Sequence, residues 1–160
     1  MSARSLTESD LGWVHALNEA HKLETSSLTR ERLAELIGMA WFAKAAGGGE
    51  GAFLIAFDQD APYENANFAW MKARFDRFVY IDRVVVAETH QRQGLARQLY
   101  EDLIREARAA GYPRITCEVN ADPPNPQSDA FHARMGFEPV GDLRALSTEK
   151  TVRYLSFGLI

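Results

Sequence analysis

Hydrophobic and polar positions follow two different periods along this chain. From Phe78 to Val86 nearly every position is β-branched, aromatic or otherwise apolar, broken only by Asp82 and Arg83, which is the pattern of a strand. Directly afterwards Leu95, Leu99, Leu103 and Ala107 recur every four residues, the repeat of one helix face. Gly111 and Pro113 close that helix, and residues 114–119 return to strand composition. Strand, crossover helix and strand predict a parallel βαβ unit.

The flanking regions are read in the same way. Residues 3–6 predict a first strand. Thr7 and Asp10 have the spacing of a capping box, so a helix is expected there with Leu11, Val14, Leu17 and His21 along one stripe. Residues 25–28 read as a break. Thr29 then caps a second helix that turns Leu33, Leu36 and Ile37 inward and ends near Gly38. Residues 41–44 and 52–57 predict strands joined by a glycine-rich turn at 47–51. Residues 58–65 predict a loop, and 67–72 fit no single period. Downstream, residues 120–128 contain Pro123, Pro124 and Pro126 and predict a loop. A short helix over 129–135 stops at Gly136, and 137–140 with 152–157 predict a closing antiparallel pair. The expected fold is α/β (α+β), one domain over residues 1–160 with a mixed central sheet flanked by helices.

Composition narrows the function classes. The chain of 160 residues is 46% hydrophobic and 25% charged, and its net charge is -4. A mildly acidic chain gives no electrostatic reason to expect nucleic acid. Cys117 is the only cysteine, so no intramolecular disulfide is possible, which fits a reducing cytoplasm. Its place in a strand reads as a small buried hydrophobe. No apolar run approaches the length of a membrane span, and the first 15 residues carry Arg4, Glu8 and Asp10 without the apolar core of a signal peptide. His15, His21 and His90 have no metal-ligand spacing, and no metal is expected.

The chemistry concentrates in Gln91-Arg92-Gln93-Gly94-Leu95-Ala96, between the central strand and its helix. A glycine at a helix start admits close approach of a ligand to backbone. The helix N-terminus offers unpaired N–H groups and partial positive charge, and Arg92 adds a formal charge. Arg97, one turn on, can reach a phosphate or pair with Glu101. These features describe a phosphate or pyrophosphate site. The dinucleotide glycine pattern and the Lys-Ser/Thr of a P-loop are both absent.

Gln91-x-x-Gly94-x-Ala96 after a valine-rich strand resembles the acyl-coenzyme A pyrophosphate loop of the GNAT superfamily of N-acetyltransferases. Asn125 followed by Ala130-Phe131-His132-Ala133-Arg134-Met135-Gly136-Phe137 resembles that family's second characteristic segment. The two matches stand in the family's order over roughly residues 78–141. The resemblance implies a cytoplasmic enzyme that transfers an acetyl group from acetyl-CoA to a primary amine of a small molecule or peptide, by direct attack in a ternary complex. Relatives are often homodimers. It also implies that Val84, Val85 and Val86 pair with the pantetheine arm, while Gln91, Arg92, Gln93, Gly94, Leu95, Ala96 and Arg97 hold the pyrophosphate. Asn125 falls at a pantetheine contact, and Ser128 is expected to cap the short helix.

Acetyl transfer needs a base for the amine and a donor for the departing thiolate. Strand alternation puts Tyr80, Asp82, Val84 and Val86 on one face, so Asp82 lies near the expected thioester and is the first candidate base. Its plain structural reading is an ion pair with Arg83 or Arg77. Glu118, in the next strand, resembles the base of ribosomal-protein N-terminal acetyltransferases and competes with it. His132 stands where most relatives have a tyrosine, and is the candidate acid; Tyr154 is a reserve. Trp41 or Trp70 is a candidate wall of the acceptor pocket, and Glu24 a candidate attractor of an ammonium group. The change at position 132 sustains a second reading, a coenzyme A-binding regulatory module without acyltransferase activity.

Overall fold

The structure, a computed structural model, describes residues 3–160 except the side chain of Glu24, so the role expected of Glu24 lies outside the described residues. A 3-10 turn (Glu8–Asp10) leads into α1 (Leu11–Ala20), followed by α2 (Lys22–Thr25), α3 (Arg30–Met39) and α4 (Ala66–Arg74). Helix α5 (Leu95–Ala109) and helix α6 (Pro126–Met135) complete the set. Eight strands form one sheet: β1 (Arg4–Ser5), β2 (Phe42–Ala46), β3 (Ala52–Asp58), β4 (Val79–Val86), β5 (Arg114–Asp122), β6 (Glu138–Pro139), β7 (Arg144–Ala145) and β8 (Thr151–Gly158). Their order is β1-β2-β3-β4-β5-β8-β6, with β7 also on β8. The pair β4–β5 is parallel and the other pairs are antiparallel. This is the mixed α/β fold expected, and β4-α5-β5 is its βαβ unit.

Both faces of the sheet are covered, which is why β3 reads as a continuous apolar run. Ala52, Leu54 and Ala56 face α5, where Leu95, Leu99, Leu103 and Ala107 pack. Phe53, Ile55 and Phe57 face the opposite layer with Val14, Leu33, Leu36, Phe68 and Met71. The four-residue apolar repeat of α5 becomes its buried stripe.

Several expectations change. The region 25–28 is not a simple break, because α2 forms first over Lys22–Thr25. The unassigned region 67–72 is α4; Asn65 caps it by accepting from the N–H groups of Asn67 and Phe68, and Phe68 and Met71 bury one face. Helix α6 starts three residues earlier than expected, with Pro126 in its first turn, where a missing N–H has no cost. Asn125, not Ser128, caps it, accepting from the Ser128 N–H at 3.3 Å. The closing strand shrinks to Glu138–Pro139 at the sheet edge, where a proline is tolerated.

The largest correction concerns the faces of β4. Its pairing with β3 runs Leu54↔Val84, Ile55↔Arg83 and then Ala56↔Ile81, so Asp82 is an extra residue in a β-bulge. One inserted residue exchanges the faces of everything beyond it. Tyr80 therefore packs toward α4, while Val84 and Val86 pack toward α5. Tyr80, Asp82, Val84 and Val86 do not share a face. Beyond the bulge β4 also leaves its parallel neighbour: β4 and β5 pair only at Val79↔Ile115 and Tyr80↔Thr116, and diverge afterwards.

Candidate active site

The divergence opens a cleft in the middle of the sheet, at the C-terminal end of β4, where open α/β sheets place their ligands. A 3-10 turn (Glu88–His90) follows β4 and leads into the loop at 91–94. Arg92 (φ 66°) and Gly94 (φ 74°) both take left-handed backbone there. A Cβ built on Gly94 meets no atom within 4 Å, so the backbone at the start of α5 is open to an incoming group. A cavity of about 780 Å³ lies against it, lined by Gln91, Arg92, Gly94, Leu95, Ala96 and Arg97 of this loop and by Arg134 of α6. Three cationic side chains and the helix N-terminus thus face one cavity, which suits an anionic ligand. Arg97 also lies 3.7 Å from Glu101, and both side chains are exposed. Gln93 is exposed and does not line this cavity.

The cleft continues inward. A second cavity of about 680 Å³ is bounded by Val84, Val85 and Val86 on one side and by Asn125, Ser128 and His132 on the other. It meets a third, of about 420 Å³, at Val84, Tyr100, Asn125, Ser128 and His132. The third cavity contains both candidate bases, Asp82 and Glu118. The sites expected for phosphate, linker and base therefore lie along one continuous path.

Glu118 projects from β5 into that third cavity. The Tyr80 hydroxyl donates to both its oxygens, at 2.5 and 2.9 Å, and the Asn67 amide donates to Oε1 at 2.7 Å. Tyr154 in turn donates to the Asn67 carbonyl oxygen at 2.8 Å, fixing which way the amide points. No cation contacts Glu118 among the described residues. Burial raises its pKa to about 7; the Tyr80 bond opposes that rise, and the charge of Asp82 adds to it.

Asp82 has different surroundings. Arg83 donates to Oδ2 at 2.6 Å and Tyr63 to Oδ1 at 2.6 Å, and the Asp82 and Arg83 side chains are 4% and 3% exposed. The ion pair named as the plain reading is therefore present. Arg83 reaches on to the fully buried Asn18, at 2.9 Å, and Asn18 holds the Ser26 carbonyl at 2.9 Å. The bulge makes this possible, since it turns Arg83 toward α1. The network ties the cleft to the segment between α1 and α3.

His132 is 5% exposed. Its Nδ1 lies 2.8 Å from the Ser128 carbonyl, which only accepts, so Nδ1 carries a proton. Nε2 then accepts from the Tyr100 hydroxyl at 2.8 Å. Burial pushes the imidazole below its ordinary pKa, against the Ser128 bond and the charge of Asp129, so the ring is neutral at pH 7. Tyr100 is itself buried and its pKa rises well above 10, so its hydroxyl keeps its proton.

Five participants were not singled out from sequence: Tyr63, Asn67, Tyr80, Tyr100 and Arg134. A tyrosine among apolar strand or helix residues looks like core until its hydroxyl partner is known. The tryptophans fare differently from expectation. Trp41 packs edge-on against Tyr112, and Trp70 stacks on Tyr154 at 4.0 Å between ring centroids; neither lines the third cavity.

Comparison with known proteins agrees with this geometry. The acetyltransferase (GNAT) family model matches residues 10–137. No curated protein matches the chain. Among solved structures, the ribosomal-protein-S18-alanine N-acetyltransferase of Escherichia coli is 19% identical, covering 99% of this chain and 93% of its own, with a TM-score of 0.71. The yncA protein of Salmonella typhimurium, solved with its cofactor acetyl-CoA, is 16% identical over 100% and 94%, with a TM-score of 0.74. NAA60 of Arabidopsis thaliana, in complex with a bisubstrate analogue, is 16% identical over 98% and 96%, with a TM-score of 0.77.

Proposed function

The chain belongs to the acetyltransferase (GNAT) family, whose members use acetyl-CoA, and we propose that it moves the acetyl group to a primary amine by direct attack in a ternary complex, with Glu118 as the base. The observation that carries this reading is a carboxylate with no cationic partner at the inner end of a path that begins at a phosphate-compatible loop. The N–H groups around Gly94, with Arg92, Arg97 and Arg134, hold the pyrophosphate. Val84, Val85 and Val86 border the pantetheine arm. Bound acetyl-CoA supplies the thioester carbonyl that the amine attacks.

Glu118 takes the amine proton, the C–N bond forms, and the C–S bond breaks with the electron pair leaving on sulfur. A base whose pKa lies near 7 is partly ionised at neutral pH and still basic enough to accept that proton. Asp82, held by Arg83 and Tyr63, shapes the cavity and raises the pKa of Glu118. The departing sulfur meets the Tyr100–His132 pair. With His132 neutral, Tyr100 can donate to the sulfur only by turning its single hydroxyl proton away from His132 Nε2, which holds it until then.

The test combines binding with turnover. Acetyl-CoA is expected to raise the melting temperature of both wild-type protein and Glu118→Gln, while release of coenzyme A thiol across an amine panel is lost only in the variant. Turnover retained by Glu118→Gln would transfer the base to Asp82. Cofactor binding without product from any amine would favour a binding module.

A further inference from the structure

Resting on the acetyltransferase reading above, we propose that the acceptor is a free α-amino acid, whose carboxylate is held by Arg144 and Lys150 while its amine faces Glu118. The charged side chains on the wall of the 420 Å³ cavity are Asp82, Arg83, Glu118, Arg144 and Lys150. Asp82 and Arg83 neutralise each other. That leaves one carboxylate on β5 and two cations on the β7–β8 hairpin. Among the described residues neither Arg144 nor Lys150 forms an ion pair.

The two ends of the cavity are physically connected. Tyr154 donates to Asn67 at 2.8 Å and Asn67 donates to Glu118 at 2.7 Å, while the charge of Arg144 acts on Tyr154, opposing the rise in its pKa that burial causes. The base and both cations line one cavity of about 420 Å³, a volume suited to a small bifunctional molecule. An acceptor with an amine at one end and an anion at the other fills both ends. A guanidinium fork matches a carboxylate in shape as well as charge. A peptide N-terminus presents an uncharged amide where the amino acid has its carboxylate, and leaves both cations without a partner. A polyamine places positive charge against them.

The experiment uses the full chain with saturating acetyl-CoA and a set of amino acids, each paired with its amide and with a dipeptide beginning with the same residue. At least one free amino acid is expected to exceed its amide and dipeptide in kcat/KM by roughly 10- to 100-fold, the effect of a charge-assisted hydrogen bond. In Arg144→Gln/Lys150→Gln that ratio should fall toward one, chiefly through KM. In Arg144→Glu/Lys150→Glu the order should reverse in favour of the amides. Both residues lie on a surface hairpin, so these variants keep the core intact. A second arm does not require turnover: N-acetyl amino acids should stabilise the coenzyme A-loaded protein more than N-acetyl amino amides. Amides or dipeptides that react as well as free acids, or a ratio unmoved by the variants, overturn the carboxylate assignment and leave the transferase reading standing. Absence of turnover with every amine, together with carboxylate-selective binding, overturns the transferase reading and supports the anion site. Absence of that selectivity in both arms overturns the proposal.

Discussion

At the scale of single residues, the two acids in the cleft differ in what touches them. Glu118 receives neutral donors and its pKa rises to about 7, whereas Asp82 receives a guanidinium. A base works when ionised, so activity through Glu118 increases as pH rises through about 7. Glu118→Gln is expected to lower kcat/KM by about 10²- to 10⁴-fold and remove that limb of the pH profile, measured by coenzyme A thiol release. The same shift enters stability with a definite sign. The folded state binds the proton more tightly than the unfolded one, so stability declines between the ordinary value of 4.5 and about 7, and a pH series of denaturant melts should lose that slope in the variant. Asp82→Asn acts otherwise. It leaves Arg83 buried without its counterion, at a cost of about 3–5 kcal/mol, and calorimetry should show a fall in melting temperature that Asp82→Ala/Arg83→Met partly restores. Asp82 and Glu118 were both visible in sequence as acids inside apolar strands. The Arg83 pair was named there as the plain reading of Asp82, but the neutral donors around Glu118 were not legible, because Asn67 and Tyr80 reach it from α4 and β4 rather than from its own strand.

At the scale of elements, legibility followed the strength of local signals. Helix α5 and its N-terminal loop were readable because a four-residue apolar repeat follows a glycine. Helix α2, four residues long, has no room for a period, and strand β7, two residues long, has none either. The bulge at Asp82 was hidden for a different reason: an alternating pattern contains no mark of where one residue is skipped, and the skip is set by the partner strand β3. The loop carries its own prediction. Gly94→Ala forces a side chain into left-handed backbone and should cost about 1 kcal/mol in a chemical melt. Gly94→Asp adds a negative charge where an anion is to bind, and should also abolish the rise in melting temperature given by coenzyme A.

At the scale of the molecule, the order of strands was the least legible property, since it depends on which strand edges remain open after the βαβ unit forms. The sheet that results has a seam. β1–β4 on one side and β5 with β8, β6 and β7 on the other are joined through two residue pairs, Val79↔Ile115 and Tyr80↔Thr116. A ligand bound only by the folded protein stabilises it by mass action, about 2.7 kcal/mol at a hundred times its dissociation constant. Acetyl-CoA should therefore raise the melting temperature progressively with concentration, and a flat titration would remove the cleft as its binding place. Because the acceptor cavity is bounded by Asp82 and Val84 from one leaf and Glu118 from the other, its width is set by the angle at which the leaves stand. If the thioester arm lies between them as proposed, it acts as a spacer that sets that angle. Binding order follows: the acceptor finds its full complement of contacts only on the cofactor-loaded protein, so initial-rate patterns should report cofactor first, acceptor second, and an acceptor offered to the empty protein should bind weakly.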